Sequence, residues 1–343
     1  MTQPDALSVG RLIDFTEQVA GHPDTIKAAP QFPDRLFKWA SPTESQFYRA
    51  LDRQRQQSQG FDHAQTAAPR PLYSFAPAFY PDFDFQPNPL HTNSPASNGK
   101  SNGDGDGNDD GSPSWICIQN LIHRYQHYSA IDLKLGTRLY DDDATPEKRA
   151  RMIQHAQQTT SGAIGLRICG YKRFDLATQS HVVYSREAGR RLKPDTFYGD
   201  FESFFRSNDG GFVSLDTLRG IRHRLCELQQ TLRQTHVQLY GASVLILYDS
   251  GCCFDVDPGQ TSNLGEPNAP NQAASADEPR PTQSRAPCPD QSASPRYDVR
   301  LIDFAHARLK DGIGLDEGAL LGVDHLIRFM DRLILAATSQ PMP

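Results

Sequence analysis

The sequence predicts an α+β protein whose core is interrupted by polar insertions. Hydrophobic residues make up 37% of the chain and the mean hydropathy is −0.59, whereas an average globular chain has about 45% apolar residues. Two segments, 91–114 and 255–296, contain almost no large apolar residue, so we expect them to be disordered. Elsewhere, strand-like and helix-like patterns follow one another in mixed order, which is typical of α+β folds.

The N-terminal part predicts a short strand followed by a helix. Residues 35–40 (RLFKWA) form a strand candidate. Ser41-Pro42-Thr43-Glu44 has the spacing of a capping box, with proline at the first helical position. A helix should therefore begin at Pro42. The Gln- and Ala-rich stretch 54–70 predicts a third, weaker polar insertion.

The middle of the chain predicts two strands, a helix and a further strand. Residues 115–121 and 130–135 are the strand candidates, and 164–171 is a third β-rich run. The helix between them should cover about 145–159, because Thr145 can cap it and proline occupies its first position.

The C-terminal part predicts a helix, a split hairpin and a closing helix. Residues 214–234 carry leucine or isoleucine every three or four positions, as one buried helix face requires. The runs 243–249 and 297–304 are expected to be two strands of one hairpin, separated by the insertion 255–296. Residues 316–337 should form the last helix.

Composition excludes several classes of protein. The net charge of −6 argues against a uniformly basic nucleic-acid binder, so direct nucleic-acid binding is not expected. No apolar run approaches the ~20 residues of a membrane helix, and the first residues do not form a secretion signal. The six cysteines form no CxxC pair and are expected to be reduced thiols. We therefore expect a protein without a membrane span, in the nucleus or the cytoplasm.

Positive charge is concentrated in residues 130–173, which hold eight basic and five acidic side chains. Lys148, Arg151 and His155 are spaced so that they share one face of the predicted helix. This face could bind a polyanion, or it could be a solvated surface stripe.

Two acidic residues have positions that suit chemistry. Asp132 and Lys134 alternate with apolar residues, so both should point to the same side of a strand. Such a pair could be a base beside a phosphate-binding ammonium, or a surface ion pair. Asp303 ends an apolar run, a position suited to Mg²⁺ held by one carboxylate and substrate phosphates.

These segments, in this order, resemble the inositol polyphosphate kinase family. Within it the chain looks most like the inositol polyphosphate multikinase branch of fungal type, with the hexakisphosphate and trisphosphate kinases as alternatives. Similarity at QVAGH (18–22) is weaker. The matching motifs are DLKLGT (132–137), YDDDA (140–144), EKR (147–149), TTSG (159–162), GLRICG (165–170), IDFAH (302–306) and DEG (316–318).

The resemblance implies a two-lobed, protein-kinase-like (ATP-grasp-like) fold with antiparallel sheets and a small helical insert that binds the substrate. The N-lobe would comprise residues 1–121 and the C-lobe residues 122–343, with the inositol-binding helical segment at about 145–160. The implied activity is ATP- and Mg²⁺-dependent phosphorylation of hydroxyl groups on inositol tris- and tetrakisphosphates.

Three alternatives remain open at this point. The chain could be an inositol hexakisphosphate kinase that makes pyrophosphates. It could be a non-catalytic regulatory or scaffold protein that keeps the fold and binds protein partners through its disordered loops. It could also bind nucleic-acid phosphates through the basic helix.

The resemblance also assigns roles on the ATP side. Lys38 would contact the ATP phosphates, with Glu44 as its ion-pair partner, although the capping-box spacing could equally explain Glu44. Gln119 and Leu121 would belong to the hinge that reads adenine, and Ser243 would assist at the nucleotide phosphates or the metal.

On the acceptor side, Asp132 would orient or deprotonate the attacking hydroxyl group and Lys134 would contact phosphate. Asp303 would bind Mg²⁺. The residues that would bind the inositol phosphate are Lys148, Arg151, His155 and His306.

Overall fold

A computed structural model describes residues 12–19, 24–58, 69–81, 113–253 and 296–339. Apart from their ends, the predicted insertions 91–114 and 255–296 lie outside the described residues, so their predicted disorder stays a prediction. Within the described ranges, no helix has both the length and the apolar character needed to cross a lipid bilayer.

The N-terminal part forms a four-stranded antiparallel sheet with one long helix beside it. The strand order is β1-β2-β3-β4. A short 3₁₀ helix, Leu72–Phe75, packs against the long helix. The strands are β1 (Ile13–Asp14), β2 (Ile26–Ala28), β3 (Arg35–Ala40) and β4 (Ser114–Gln119), and the long helix is α1 (Pro42–Gln57).

The C-terminal part is built on a five-stranded antiparallel sheet and a small two-stranded one. The large sheet has the order β10-β9-β5-β6-β7, and β11 pairs with β8 in the small sheet. The strands are β5 (Tyr128–Leu135), β6 (Leu166–Asp175), β7 (Ser180–Tyr184), β8 (Val237–Gln238), β9 (Ser243–Asp249), β10 (Tyr297–Ile302) and β11 (Arg308–Leu309).

Helices surround the five-stranded sheet. The longest two pack on each other; one contacts β10 and the other contacts β5. The helices are α2 (Pro146–Gln158), α3 (Thr160–Ile164), α4 (Arg186–Arg191), α5 (Phe197–Phe204), α6 (Leu215–Leu232), α7 (Ser250–Cys253) and α8 (Glu317–Ser339), of which α6 and α8 are the packed pair.

The two parts meet where β10 ends against α1. Phe304, two residues beyond the strand, stacks on Phe47 with ring centroids 4.6 Å apart and meets Tyr48 edge-on at 5.2 Å. All three side chains are buried. This aromatic contact fixes the end of β10 beside the first turns of α1.

The elements predicted from local signals are largely confirmed. Strands β3 and β9 have the predicted bounds. The Thr145 hydroxyl accepts a hydrogen bond from the Lys148 backbone N–H at 3.3 Å and so caps α2. Strands β9 and β10 pair directly, as a hairpin requires. The mixture of antiparallel sheets and packed helices confirms the α+β prediction.

Several predicted bounds were wrong. Strand β10 ends at Ile302 and not at 304, and β5 begins at Tyr128 and not at 130. Helix α1 continues to Gln57, into the stretch predicted as an insertion, because arginine and glutamine are good helix formers; residues 59–68 lie outside the described part of the chain. The β-run predicted from 164 begins at Leu166, since Gly165 ends a helical turn at φ +65°. Strand β4 ends at Gln119, because the Asn120 side chain accepts the Ile122 N–H and starts a turn.

Candidate functional site

Lys38 lies between two carboxylates at the junction of the two parts. Its Nζ donates to Glu44 Oε1 and to Asp303 Oδ1, each at 2.7 Å. Burial alone would lower the pKa of Lys38, but the charges of Asp303 and Glu44 outweigh it and raise the pKa above its ordinary value. The ammonium therefore keeps its charge inside the protein.

The structure separates the two roles left open for Glu44. The hydroxyl of Ser41 accepts the backbone N–H of Glu44 at 3.2 Å, which caps α1. The Glu44 carboxylate turns toward Lys38 and also accepts the Phe304 N–H at 3.1 Å. Ser41 is thus the cap, and Glu44 is the ion-pair partner.

Asp303 occupies a strained position directly after β10. Its φ is +64°, a left-handed conformation that aspartate tolerates better than most residues. The side chain is 40% exposed. Among the described residues, no cluster of three His, Cys, Asp or Glu side chains could hold a metal. A carboxylate oxygen suits Mg²⁺ or Mn²⁺, whose remaining ligands would be phosphate oxygens and water.

Asp132 and Lys134 lie on the central strand β5. Lys134 is paired across the sheet with Ser243 on β9 and with Arg167 on β6. Asp132 is only 4% exposed, and burial raises the pKa of its carboxyl group despite the opposing charge of Lys134. In the described part of the chain, Asp132 Oδ1 and Ser243 Oγ form no hydrogen bond of good geometry, although Ser243 lies close enough to oppose part of the rise in the Asp132 pKa. Polar groups with unused hydrogen-bonding capacity are therefore buried at the centre of this sheet.

Arg167 is a site residue that the sequence analysis did not single out. Its side chain is 3% exposed, and its Nε and Nη1 have no hydrogen-bond partner among the described residues. A buried guanidinium without an acceptor is unfavourable unless an anion completes it. The available signal was its type: an arginine inside the apolar run GLRICG.

The three residues of the predicted basic face of α2 have different surroundings in the structure. The Nζ of Lys148 lies 3.4 Å from Nε2 of His306, the residue three positions after Asp303. His155 is half-buried, and burial together with the charge of Arg167 lowers its pKa. Arg151 is exposed and forms no hydrogen bond or ion pair within the described residues.

More cationic groups lie beside His155. After Arg167, the charges of Arg190 and Arg186 also lower the His155 pKa. Both arginines belong to α4, which packs on β6. Arg167 of β6 and two arginines of α4 thus lie close enough to affect the charge of His155 on α2.

The two predicted hinge residues, Gln119 and Leu121, make different contacts. The Oε1 of Gln119 accepts the Ala78 N–H at 3.3 Å, so its side chain is engaged with a neighbouring segment. Leu121, like Val19 and Ile302, is partly buried and packs against an apolar cluster that includes Leu245. This apolar group could form a wall for a planar base.

Comparisons with known proteins identify a family and several relatives that this chain resembles. The family model for inositol polyphosphate kinase matches residues 115–331. Inositol hexakisphosphate kinase 1 of Mus musculus is 29% identical over 227 residues, covering 64% of this chain and 51% of that protein. Inositol hexakisphosphate kinase 2 of Mus musculus is 32% identical over 225 residues, covering 62% and 47%. The chain spans about half the length of these curated relatives.

Two solved structures share the fold. The inositol phosphate multikinase Ipk2 of S. cerevisiae, in complex with ADP and Mn²⁺, has a TM-score of 0.57 at 21% identity, covering 88% of this chain and 99% of that chain. A second inositol phosphate multikinase structure has a TM-score of 0.52 at 18% identity, covering 84% and 99%. These likenesses confirm the predicted fold.

Proposed function

The chain belongs to the inositol polyphosphate kinase family, and from this premise we propose that it transfers the γ-phosphoryl group of ATP to a hydroxyl group of an inositol polyphosphate. One observation carries the proposal: Lys134 lies two residues from the buried carboxylate of Asp132 and opposite the buried guanidinium of Arg167. The Nε and Nη1 of Arg167 have no hydrogen-bond partner among the described residues. The Asp132 carboxylate suits an attacking hydroxyl group, and the Arg167 guanidinium suits a phosphate.

On the ATP side, Lys38 would contact the phosphates while Glu44 holds it in place. Asp303 would hold Mg²⁺ or Mn²⁺. The metal, when bound, neutralises charge on the transferring phosphoryl group. Leu121 and its apolar neighbours would face the adenine. Phosphoryl transfer needs positioning and charge stabilisation more than covalent chemistry, and these groups can provide both.

On the acceptor side, Asp132 would accept the proton of the attacking hydroxyl group. The hydroxyl oxygen forms a bond to the γ-phosphorus as the bond between phosphorus and the ADP oxygen breaks, and the proton passes to the Asp132 carboxylate. The raised pKa of Asp132 makes it a stronger base than an exposed carboxylate. Lys134 and Arg167 would hold phosphates already present on the ring.

For the substrate we propose inositol tris- and tetrakisphosphates, as in multikinases. Inositol hexakisphosphate is the second candidate, and two observations favour it. The curated relatives described above are named inositol hexakisphosphate kinases. The basic side chains proposed for the acceptor side also offer many positive charges for a highly phosphorylated ring: Lys134, Lys148, Arg167, Arg186 and Arg190.

The test is to incubate the purified protein with ATP, Mg²⁺ and a panel of inositol tris- to hexakisphosphates, and to identify the products by chromatography. Appearance of the next higher phosphate is expected, and the accepted substrate decides between the two candidates. Asp303→Asn should lose most turnover, whereas Asp331→Asn, on the exposed face of α8, should keep it. Binding without turnover would favour the scaffold alternative.

A further inference from the structure

The imidazole of His306 is held from both nitrogens. Its Nδ1 lies 2.7 Å from Asp141 Oδ2, and its Nε2 lies 3.4 Å from Lys148 Nζ. An ammonium group can only donate, so Nε2 must accept and Nδ1 must carry the proton that is donated to Asp141. The two contacts thus fit the tautomer that carries its proton on Nδ1.

The Asp141 side chain is buried and lies near a positive charge. It is 6% exposed, although it lies in the loop that joins β5 to α2. Arg308 on β11 is 3.8 Å from its carboxylate and pairs with the neighbouring Asp143 at 2.9 Å. The charged groups facing His306 are thus Asp141 from the loop, Lys148 from α2 and Arg308 from β11.

The loop around Asp141 is braced independently. The guanidinium of Arg138 lies between the rings of Tyr140 and Tyr240, at 4.8 and 4.6 Å from their centroids. Asp142 accepts hydrogen bonds from Arg138 and from the Tyr240 hydroxyl. Contacts other than the one between Asp141 and His306 therefore help to hold this loop.

We propose that Asp141 is a positioning residue that orients His306 and allows it to become a cation when a substrate phosphate arrives. The inference rests on the proposed function and deepens it. A phosphate that attracts Lys148 frees the Nε2 lone pair, which takes up a proton from the buffer acid. The ring keeps this proton as an imidazolium, and its Nε2–H donates a hydrogen bond to the phosphate. The negative charge of the Asp141 carboxylate stabilises the imidazolium and offsets its repulsion from the Lys148 ammonium. Substrate binding is then coupled to proton uptake.

The test uses calorimetric binding of inositol hexakisphosphate to the full chain at neutral pH, in two buffers of different ionisation enthalpy. We expect proton uptake by the wild type. Asp141→Asn should lose this uptake and bind about tenfold more weakly, a change of ~1.4 kcal/mol. The control, Asp143→Asn, removes a neighbouring carboxylate that also pairs with Arg308, and it should behave like the wild type.

A double-mutant cycle separates positioning from a structural role. If Asp141 acts through His306, adding Asp141→Asn to His306→Gln should change affinity by less than about twofold. A full additional loss in that background would overturn the inference. Nitrogen-15 NMR of the wild type gives a second test that needs no variant at Asp141: a proton on Nε2 and none on Nδ1 would also overturn it. Absence of turnover with intact proton-linked binding would instead reject the proposed kinase activity.

Discussion

At the residue scale, the acceptor side of the site opposes stability. Asp132 carries a carboxyl group whose pKa is raised by burial, and Arg167 buries a guanidinium without a hydrogen-bond acceptor in the described part of the chain. Neither arrangement helps the protein to fold. Sites that bind charged substrates commonly have this property, because the missing partner is the substrate itself.

Asp132→Asn should lower kcat by about 10²- to 10⁴-fold with little change in either KM, because a group that accepts the proton acts at the transition state. The same change should stabilise the free protein at neutral pH. The folded pKa of Asp132 lies above the ordinary carboxyl value of 3.8, so its protonation favours folding at low pH and its ionisation costs stability as pH rises. Steady-state kinetics and urea unfolding measure both effects.

The stability gain of Asp132→Asn should shrink as pH falls from above the raised pKa toward 3.8, and it should vanish well below 3.8, where the carboxyl group is protonated in both the folded and the unfolded state. Asp331→Asn is the control and should show neither effect. A turnover number within about threefold of the wild type, a difference of only ~0.7 kcal/mol, would contradict the catalytic role.

Arg167→Met should raise the KM for inositol phosphate by about tenfold or more, since it removes a cation that pairs with phosphate in the ground state. The KM for ATP should hardly change. The control is Arg173→Met on the same strand, because Arg173 is also buried but donates to Asn208 at 2.6 Å. We expect that variant to lose stability and to keep substrate affinity. Equal weakening of both substrates in Arg167→Met would indicate general damage to the sheet.

At the scale of elements, helix caps and apolar runs in the sequence predicted the bounds of several helices and strands. Thr145 and Pro146 predicted the start of α2, and the apolar run of β9 predicted its bounds. The importance of Arg167 could not be predicted in this way, because it depends on β5 and β6 being neighbours. Their register places Arg167 opposite Lys134, with a bulge between Asp132 and Leu133.

Lys148 and Arg151 of α2 have different surroundings, and this difference gives a prediction that their spacing in the sequence could not give. Lys148→Ala should raise the KM for inositol phosphate by about tenfold, because Lys148 lies beside His306. Arg151→Ala is the matched control on the same helix and should change the KM by less than about threefold, since this side chain is exposed. A larger effect of Arg151→Ala would show that the substrate lies along the outer face of α2. Initial rates at varied substrate concentration distinguish the two outcomes.

At the scale of the whole molecule, the site is assembled from distant parts of the chain. Lys38 of β3, Glu44 of α1 and Asp303 after β10 meet through two hydrogen bonds. The sequence could indicate each residue by its motif, but only the resemblance to a family could bring them together. The lobe boundary near residue 121 stays a prediction.

The hairpin of β9 and β10 predicts that the chain tolerates a shorter connection at 255–294. The strands pair from Ser243 with Ile302 to Tyr248 with Tyr297, and Asp249 N–H donates to Arg296 O at 3.0 Å, so the strand ends are already adjacent. Replacing 255–294 by a short Gly-Ser linker should keep turnover within about tenfold and raise stability by about 1 kcal/mol, because a shorter loop loses less entropy on closure. Kinetics and urea unfolding are the measurements. Loss of soluble protein, while a same-length scrambled segment is tolerated, would show that the strands need the longer connection.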